Sequence, residues 1–189
     1  VMSELAMDAP SFEGLGARRN YTWLVDWILH PKTQRATARM PQLFHGPAAR
    51  KDAEAVAAFL ASLNGTTFRI PEATDEQKEA GQKLFDALHC AACHTPPKGT
   101  EVDPARISLK HVPRKFAVGA LAPFLQRPEE HYAWTRMPNF KLNEEEAARL
   151  AAYLQANEES AVRTAAPVDS ALIERGKTFI QSTGCLNCH

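Results

Sequence analysis

Two copies of a Cys-x-x-Cys-His motif are the residues of this chain whose types and spacing point to chemistry. One copy runs over Cys90–His94 and the other over Cys185–His189, at the end of the sequence. Two intervening residues let one turn of backbone present both thiols to one edge of a porphyrin, where they can add to its vinyl groups. The adjacent imidazole then reaches the iron as an axial ligand. The motifs predict haem attachment at four thiols, with a histidine on each iron: Cys90, Cys93, Cys185 and Cys188, with His94 and His189.

Other uses of paired cysteines fit the spacing less well. The four cysteines could form two disulfides or one zinc site, but the second pair of a zinc ribbon usually follows about 15 to 20 residues after the first. Here the first cysteines of the two pairs are 95 residues apart. A thioredoxin-like redox motif would need a βαβ pattern around it, and the sequence shows none. The histidine in both copies favours haem.

Composition excludes several classes of partner. The 189 residues include 22 basic and 22 acidic ones, so the formal net charge is zero and gives no electrostatic case for nucleic acid or an anionic membrane. No apolar run approaches the roughly 18 residues of a membrane-spanning helix. Only 8% of the residues are aromatic. A haem would supply part of the missing core.

An internal repeat organises the chain. The block Thr22–Pro31 leads to Arg39–Pro41, and the block Gly119–Pro128 leads to Arg136–Pro138, without a gap at an offset of 97 residues. The offset of 95 between the two Cys-x-x-Cys-His motifs is nearly the same. Repeats of this kind change the expected architecture. Subtracting the offset places the motif that serves the first block just before Val1.

The repeat predicts three unequal segments. Residues 1–64 are the C-terminal part of a first domain that lacks its attachment motif, residues 74–157 are a complete domain, and residues 168–189 are the first helix and motif of a third. Stretches rich in turn-forming residues join them, at Asn64–Pro71 and Asn157–Pro167. A methionine serving the third segment is expected roughly 45 residues beyond the second motif.

Helix signals flank the complete motif. Thr74 with Gln77, and Asn143 with Glu146, have the spacing of capping boxes. Apolar residues at helical spacing follow each cap, and similar helices are predicted after Asp52 and after Asp169. Strand alternation is missing throughout the sequence. The predicted fold class is all-α.

The order of helix, Cys-x-x-Cys-His, loop, Arg-Met-Pro and amphipathic helix resembles the class I cytochrome c domain, especially the short tandem domains of bacterial multihaem cytochromes. In that family a glycine and an aromatic residue of the first helix pack on the last helix. Gly81 with Phe85 match these positions, and Gly176 matches again, with Phe179 one residue early. A proline carbonyl after the motif accepts a hydrogen bond from the haem-binding histidine in that family. Pro10–Phe12 resembles this segment in the first repeat, and Ile107–Leu109 takes its place in the second.

The same resemblance suggests the second axial ligand. Met137 lies 43 residues after His94, in the Arg-Met-Pro setting where the family's distal methionine sits. A thioether is a soft ligand that raises the haem potential. By the same logic Met40 binds the haem of the first segment, whereas His189 has no visible partner. A histidine ligand in place of Met137 is the alternative, from His111 or His131, although neither repeats.

The resemblance implies electron transfer by haem c, without catalysis. An iron held by histidine and methionine has no open position for a substrate. Partners would be a redox donor and acceptor or other domains of the same chain, and covalent haem attachment implies a periplasmic or other extracytoplasmic location. The alternative is a haem-containing oxidoreductase, such as a dihaem peroxidase or a dehydrogenase-fused cytochrome, with its catalytic part elsewhere.

Overall fold

A computed structural model describes residues 9–65, 73–99, 103, 105–130, 135–156 and 165–189. The all-α prediction is confirmed: helices dominate these residues, and the only strands described are two residues long. The α-helices are α1 (Leu15–Arg18), α2 (Tyr21–Leu29), α3 (Pro31–Gln34), α4 (Ala49–Ser62), α5 (Asp75–Ala87), α6 (Val112–Lys115), α7 (Leu121–Gln126), α8 (Glu144–Gln155) and α9 (Ser170–Ser182). Short 3-10 helices cover Cys90–Ala92, Pro128–Glu130 and Cys185–Asn187, and the strands are β1 (His94–Thr95) and β2 (Ile107–Ser108).

Both predicted capping boxes are present. The Thr74 hydroxyl accepts a hydrogen bond from the Gln77 N–H at 3.3 Å, and the Gln77 side chain accepts one from the Thr74 N–H at 3.0 Å. Asn143 and Glu146 exchange the same two bonds at 2.9 Å each. These bonds satisfy N–H groups that a helix leaves without partners, and they fix where α5 and α8 begin.

Two local features differ from the sequence expectations. Helix α4 begins at Ala49, before Asp52. Its N-cap residue, Ala48, makes no side-chain cap hydrogen bond, so the sequence carries no signal for this start. The strands β1 and β2 pair in parallel, His94 with Ile107 and Thr95 with Ser108. Two residues are too few for an alternating pattern to appear.

Helices α5, α7 and α8 enclose one core, which we call the central unit, within residues 73–156. Helices α5 and α8 approach so closely that a Cβ on Gly81 would lie 2.0 Å from the backbone oxygen of Arg149. Phe85, one turn further along α5, is 2% exposed. The glycine and the aromatic residue therefore pack as the resemblance implied.

Helix α9, near the C-terminal end of the sequence, packs against α4, in its N-terminal third. A Cβ on Gly176 would lie 2.0 Å from the backbone oxygen of Ala55, and Ile180 is buried in a core with α2 and α4. We call residues 9–65 and 165–189 together the terminal unit. The assignment of residues 168–189 to the beginning of a third domain stays a prediction from the sequence.

Main-chain hydrogen bonds join the two units. The Asn20 N–H donates to the Lys115 carbonyl at 3.1 Å, and the Ala117 N–H donates to the Arg18 carbonyl at 3.2 Å. The Arg114 guanidinium forms a part-buried ion pair with Asp26. Backbone contacts of this kind hold the start of α2 against the end of α6.

Candidate haem sites

The first Cys-x-x-Cys-His motif begins directly after α5. His89 adopts a left-handed conformation with φ of 53°, and the chain then enters the 3-10 turn Cys90–Ala92. The turn leaves Cys90 half-buried and Cys93 exposed, both as free thiols. Burial raises the pKa of the Cys90 thiol above its ordinary value. Two thiols on one turn at the protein surface match the attachment chemistry expected of the motif.

The His94 side chain is held by a backbone carbonyl. Its Nδ1–H donates to the Ile107 oxygen at 3.2 Å, which leaves Nε2 free for a metal. Burial lowers the pKa of His94, despite this bond, and the nearby Lys115 and Arg35 lower it further. The imidazole is therefore kept in the neutral form that binds iron.

The strand pair explains how the carbonyl is positioned without a proline. The Ile107 N–H donates to the Cys93 carbonyl at 2.9 Å, and the Leu109 N–H donates to the Thr95 carbonyl at 3.0 Å. These bonds tie the segment that carries the acceptor to the motif itself. The segment is recognisable in the sequence, but a ladder of two-residue strands leaves no sequence pattern.

The second motif repeats this geometry. Gly184 has φ of 83°, in the position of His89, and the turn Cys185–Asn187 follows it. The His189 Nδ1–H donates to the Pro10 carbonyl at 2.8 Å. The Phe12 ring stacks on the imidazole with ring centroids 4.5 Å apart. The segment around Pro10, which the sequence analysis assigned to the first repeat, thus holds the histidine of the second motif.

The two Arg-Met-Pro methionines lie in different units. Met137 is partly buried against the core of the central unit, as are Cys90 and Phe124. Met40 is partly buried against the core of the terminal unit. The Trp27 indole N–H donates to the Met40 sulfur at 3.0 Å. Each unit therefore contains two thiols, an anchored histidine and a methionine.

This donor set fits haem c. Imidazole and thioether are the two axial ligands of c-type haem iron, and paired thiols are its covalent anchors. A compact zinc site does not fit, because the cysteine pairs lie in different units. Among the residues that the structure describes, His, Cys, Asp and Glu side chains form no group of three or more that could hold a metal ion. The alternative ligand His131 lies outside the described residues.

A basic cluster between the units was not found from the sequence. The Lys115 ammonium lies 5.4 Å from the Trp23 ring centroid and 5.7 Å from that of Phe116. Burial, and then the charges of Arg19 and Arg35, lower the pKa of Lys115 to about 7. These residues come from distant parts of the chain and share no motif, so no sequence signal could have grouped them.

Comparisons with known proteins agree with the geometry. Residues 78–158 match the cytochrome c family. Over 116 residues the chain is 28% identical to the Cbb3-type cytochrome c oxidase subunit CcoP of Helicobacter pylori strain ATCC 700392 / 26695, covering 60% of this chain and 38% of that protein. The CcoP subunit of H. pylori strain 52 matches with the same identity over 37% of its length. The chain therefore spans less than two thirds of the length of the curated relatives it matches. No solved structure matches the chain significantly.

The region that matches the family contains the candidate haem-binding residues of the central unit. The family region includes the motif Cys90–His94, helix α8 and Met137. None of the helices in the described part of the chain has the length and hydrophobicity needed to span a membrane. Residues 78–158 therefore form a cytochrome c domain of all-α fold, and the cofactor of this domain is covalently bound haem c with its iron.

Proposed function

We propose that this chain transfers electrons through haem c whose iron is held by His94 and Met137, as part of a multihaem cytochrome. The observation that carries the proposal is the anchoring of His94, whose Nδ1–H is bound to the Ile107 carbonyl at 3.2 Å. That bond leaves Nε2 as the nitrogen that would bind the iron. Met137 packs on the same core as Cys90, the first attachment residue.

In this proposal the protein residues occupy both axial positions of the iron and set its reduction potential. Haem c supplies the one-electron chemistry when bound, and the chain sets its potential through ligands, burial and hydrogen bonds. With His94 and Met137 both bound, oxygen and peroxide have no position at the metal. The Ile107 carbonyl makes the imidazole a stronger ligand, because it accepts a hydrogen bond from Nδ1–H. A closed site with a fixed ligand geometry is suited to electron exchange.

The redox partners that we propose are an oxidase or a protein that delivers electrons to one. The support is the likeness to the CcoP subunits, which are named as parts of a Cbb3-type cytochrome c oxidase. Covalent haem attachment supports a periplasmic or other extracytoplasmic location. The balanced formal charge argues that docking to a partner depends on local patches more than on long-range steering.

Ligand substitution tests the proposal. Cys185→Ala with Cys188→Ala leaves one attachment motif, at Cys90 and Cys93. In this single-haem chain we expect Met137→Ala to abolish the sulfur-to-iron charge-transfer band of the oxidised protein, to lower the haem potential, and to admit carbon monoxide to the reduced iron.

The matched control is Met40→Ala in the same single-haem chain. It removes the other methionine of an Arg-Met-Pro triplet and should leave the band, the potential and the carbon monoxide spectrum unchanged. Survival of the band in Met137→Ala would refute Met137 as the ligand, and absence of the band from the unsubstituted single-haem chain would refute histidine–methionine ligation at this haem. Carbon monoxide binding by the unsubstituted single-haem chain would favour an open site, as in a haem peroxidase.

A further inference from the structure

The contact between α9 and α4 reproduces the contact between α5 and α8. A Cβ on Gly176 would meet the Ala55 oxygen at 2.0 Å and the Cβ of Phe59 at 2.9 Å. In the central unit, a Cβ on Gly81 meets the Arg149 oxygen at 2.0 Å and the Cβ of Tyr153 at 2.9 Å. Helices pack this closely only where a residue without a side chain faces the neighbouring backbone. The terminal unit therefore contains the same helix pair as the cytochrome c domain.

Further contacts of α9 lie within the same unit. The Arg175 guanidinium donates to the Asp52 carboxylate at 2.5 Å. The Phe179 ring packs edge-on against Phe44, with centroids 5.4 Å apart. Ile180, one residue later, is 4% exposed. Phe179 lies one residue before the position of the family's aromatic residue, and Phe44, on the loop before α4, provides its partner. Phe179 and Ile180 therefore both pack in apolar surroundings.

The groups needed for a haem site also gather in the terminal unit. Cys185 and Met40 are partly buried against the same core. His189 is anchored on Pro10 at 2.8 Å, which matches the anchoring of His94 and directs its Nε2 away from the backbone. Residues 9–65 therefore supply the histidine anchor and the methionine, and residues 165–189 supply the attachment motif.

We infer that residues 9–65 and 165–189 form one haem-binding unit, in which haem is attached at Cys185 and Cys188 and its iron is held by His189 and Met40. The inference rests on the function proposed above and extends it to a second haem. The order of parts is permuted: here the methionine precedes the attachment motif, whereas in the central unit it follows. The unit gives His189 the partner that the sequence did not reveal.

A chain with one haem tests the ligand assignment. Cys90→Ala with Cys93→Ala leaves only the motif of the terminal unit. We expect one covalent haem per chain, a sulfur-to-iron charge-transfer band, loss of that band in Met40→Ala, and no change in Met137→Ala. A band that is absent from the parent, or that survives Met40→Ala, would overturn the inference.

A two-haem chain provides a second measurement that does not need the central haem removed. Asp52→Arg and Arg175→Asp each place like charges together across α4 and α9, and the double variant restores an opposite pair. Both haems of this chain should give the sulfur-to-iron band, so the part that depends on Met40 is the difference from the Met40→Ala chain. The denaturant midpoint of that part should fall in each single variant and recover in the double variant. Additive effects would show that α9 does not pack on α4 in solution, and would also overturn the inference.

The oligomeric state decides whether one chain builds the unit. Light scattering coupled to size exclusion should give a monomer for the two-haem chain with the Met40-dependent band present. A dimer with the same band would mean that α9 comes from a second copy, which contradicts assembly within one chain. The ligand test of the central haem uses the other cysteine pair, so failure of the proposed function and failure of this inference give separate results.

Discussion

The two repeats differ at residue 27 and its counterpart, residue 124, in one hydrogen-bond donor. Trp27 donates its indole N–H to the Met40 sulfur at 3.0 Å. Phe124, which occupies the corresponding repeat position, packs on the same core as Met137, and its side chain carries no N–H. A donor on the thioether withdraws electron density from it, so in the haem site that we infer at Met40 the oxidised iron is less stabilised than the reduced iron. The difference between Trp27 and Phe124 would therefore give the two haems different reduction potentials.

Trp27→Phe tests this difference. In the single-haem chain that keeps Cys185 and Cys188, we expect the variant to lower the haem potential, on the order of 40 mV for a lost hydrogen bond of about 1 kcal/mol. Protein film voltammetry gives the potential directly. The control is Trp23→Phe. The Trp23 ring stacks on Trp27 with ring centroids 5.1 Å apart, so this variant changes the packing without removing a hydrogen bond to sulfur. An equal shift in both variants would assign the effect to packing.

Helices α5 and α8 meet at a position where any side chain is excluded. Alanine normally stabilises a helix interior by about 1 kcal/mol relative to glycine. At Gly81 the added Cβ would overlap the Arg149 oxygen at 2.0 Å, so the two helices must move apart. The close approach therefore outweighs helix propensity at this residue.

We predict that Gly81→Ala lowers the free energy of unfolding by about 2 kcal/mol, within the range of core overpacking. Guanidinium unfolding of the haem-loaded chain, followed by the α-helical circular dichroism signal, measures it. Gln82→Ala is exposed on the same helix and should stay within about 0.5 kcal/mol of the unsubstituted chain. A stabilised Gly81→Ala variant would show that α5 and α8 are more loosely packed than described.

Element boundaries followed from the sequence where a side chain marks them. Thr74 and Asn143 cap α5 and α8 as predicted, whereas Ala48 provides no cap and α4 begins earlier than expected. The pairing of α9 with α4 had no sequence signal. An amphipathic helix shows which face it buries but does not identify the helix that covers it. The glycine at Gly176 was recognised, and its partner Ala55 was not.

At the scale of the whole molecule, the two units are joined through a region of concentrated positive charge. Lys115 lies beside Trp23 of the terminal unit, and Arg19 and Arg35 are close enough to lower its pKa. Arg19 also lies 4.5 Å from the ring centroid of Phe116. Charged groups that are brought together and partly desolvated oppose the contact that brings them together. The stability of the joined molecule should therefore depend on pH.

The last prediction concerns Lys115. Its pKa falls from an ordinary 10.5 to about 7 in the folded protein, chiefly through burial. The unfolded chain therefore binds the proton more tightly, and stability should rise with pH between about 7 and 10.5, with the full penalty present below that window. Lys115→Met should be more stable than the unsubstituted chain at neutral pH, and this difference should shrink as pH rises. Guanidinium unfolding of the haem-loaded chains across the window measures it.

Lys110→Met is the matched control, because Lys110 is an exposed lysine close to the same helix. It removes one positive charge of the same type without removing a buried ammonium, so its stability relative to the unsubstituted chain should change little across the window. Parallel curves for the unsubstituted chain and Lys115→Met would contradict the assignment. They would mean that the Lys115 ammonium stays charged in the folded, haem-loaded protein and does not oppose the joining of the units.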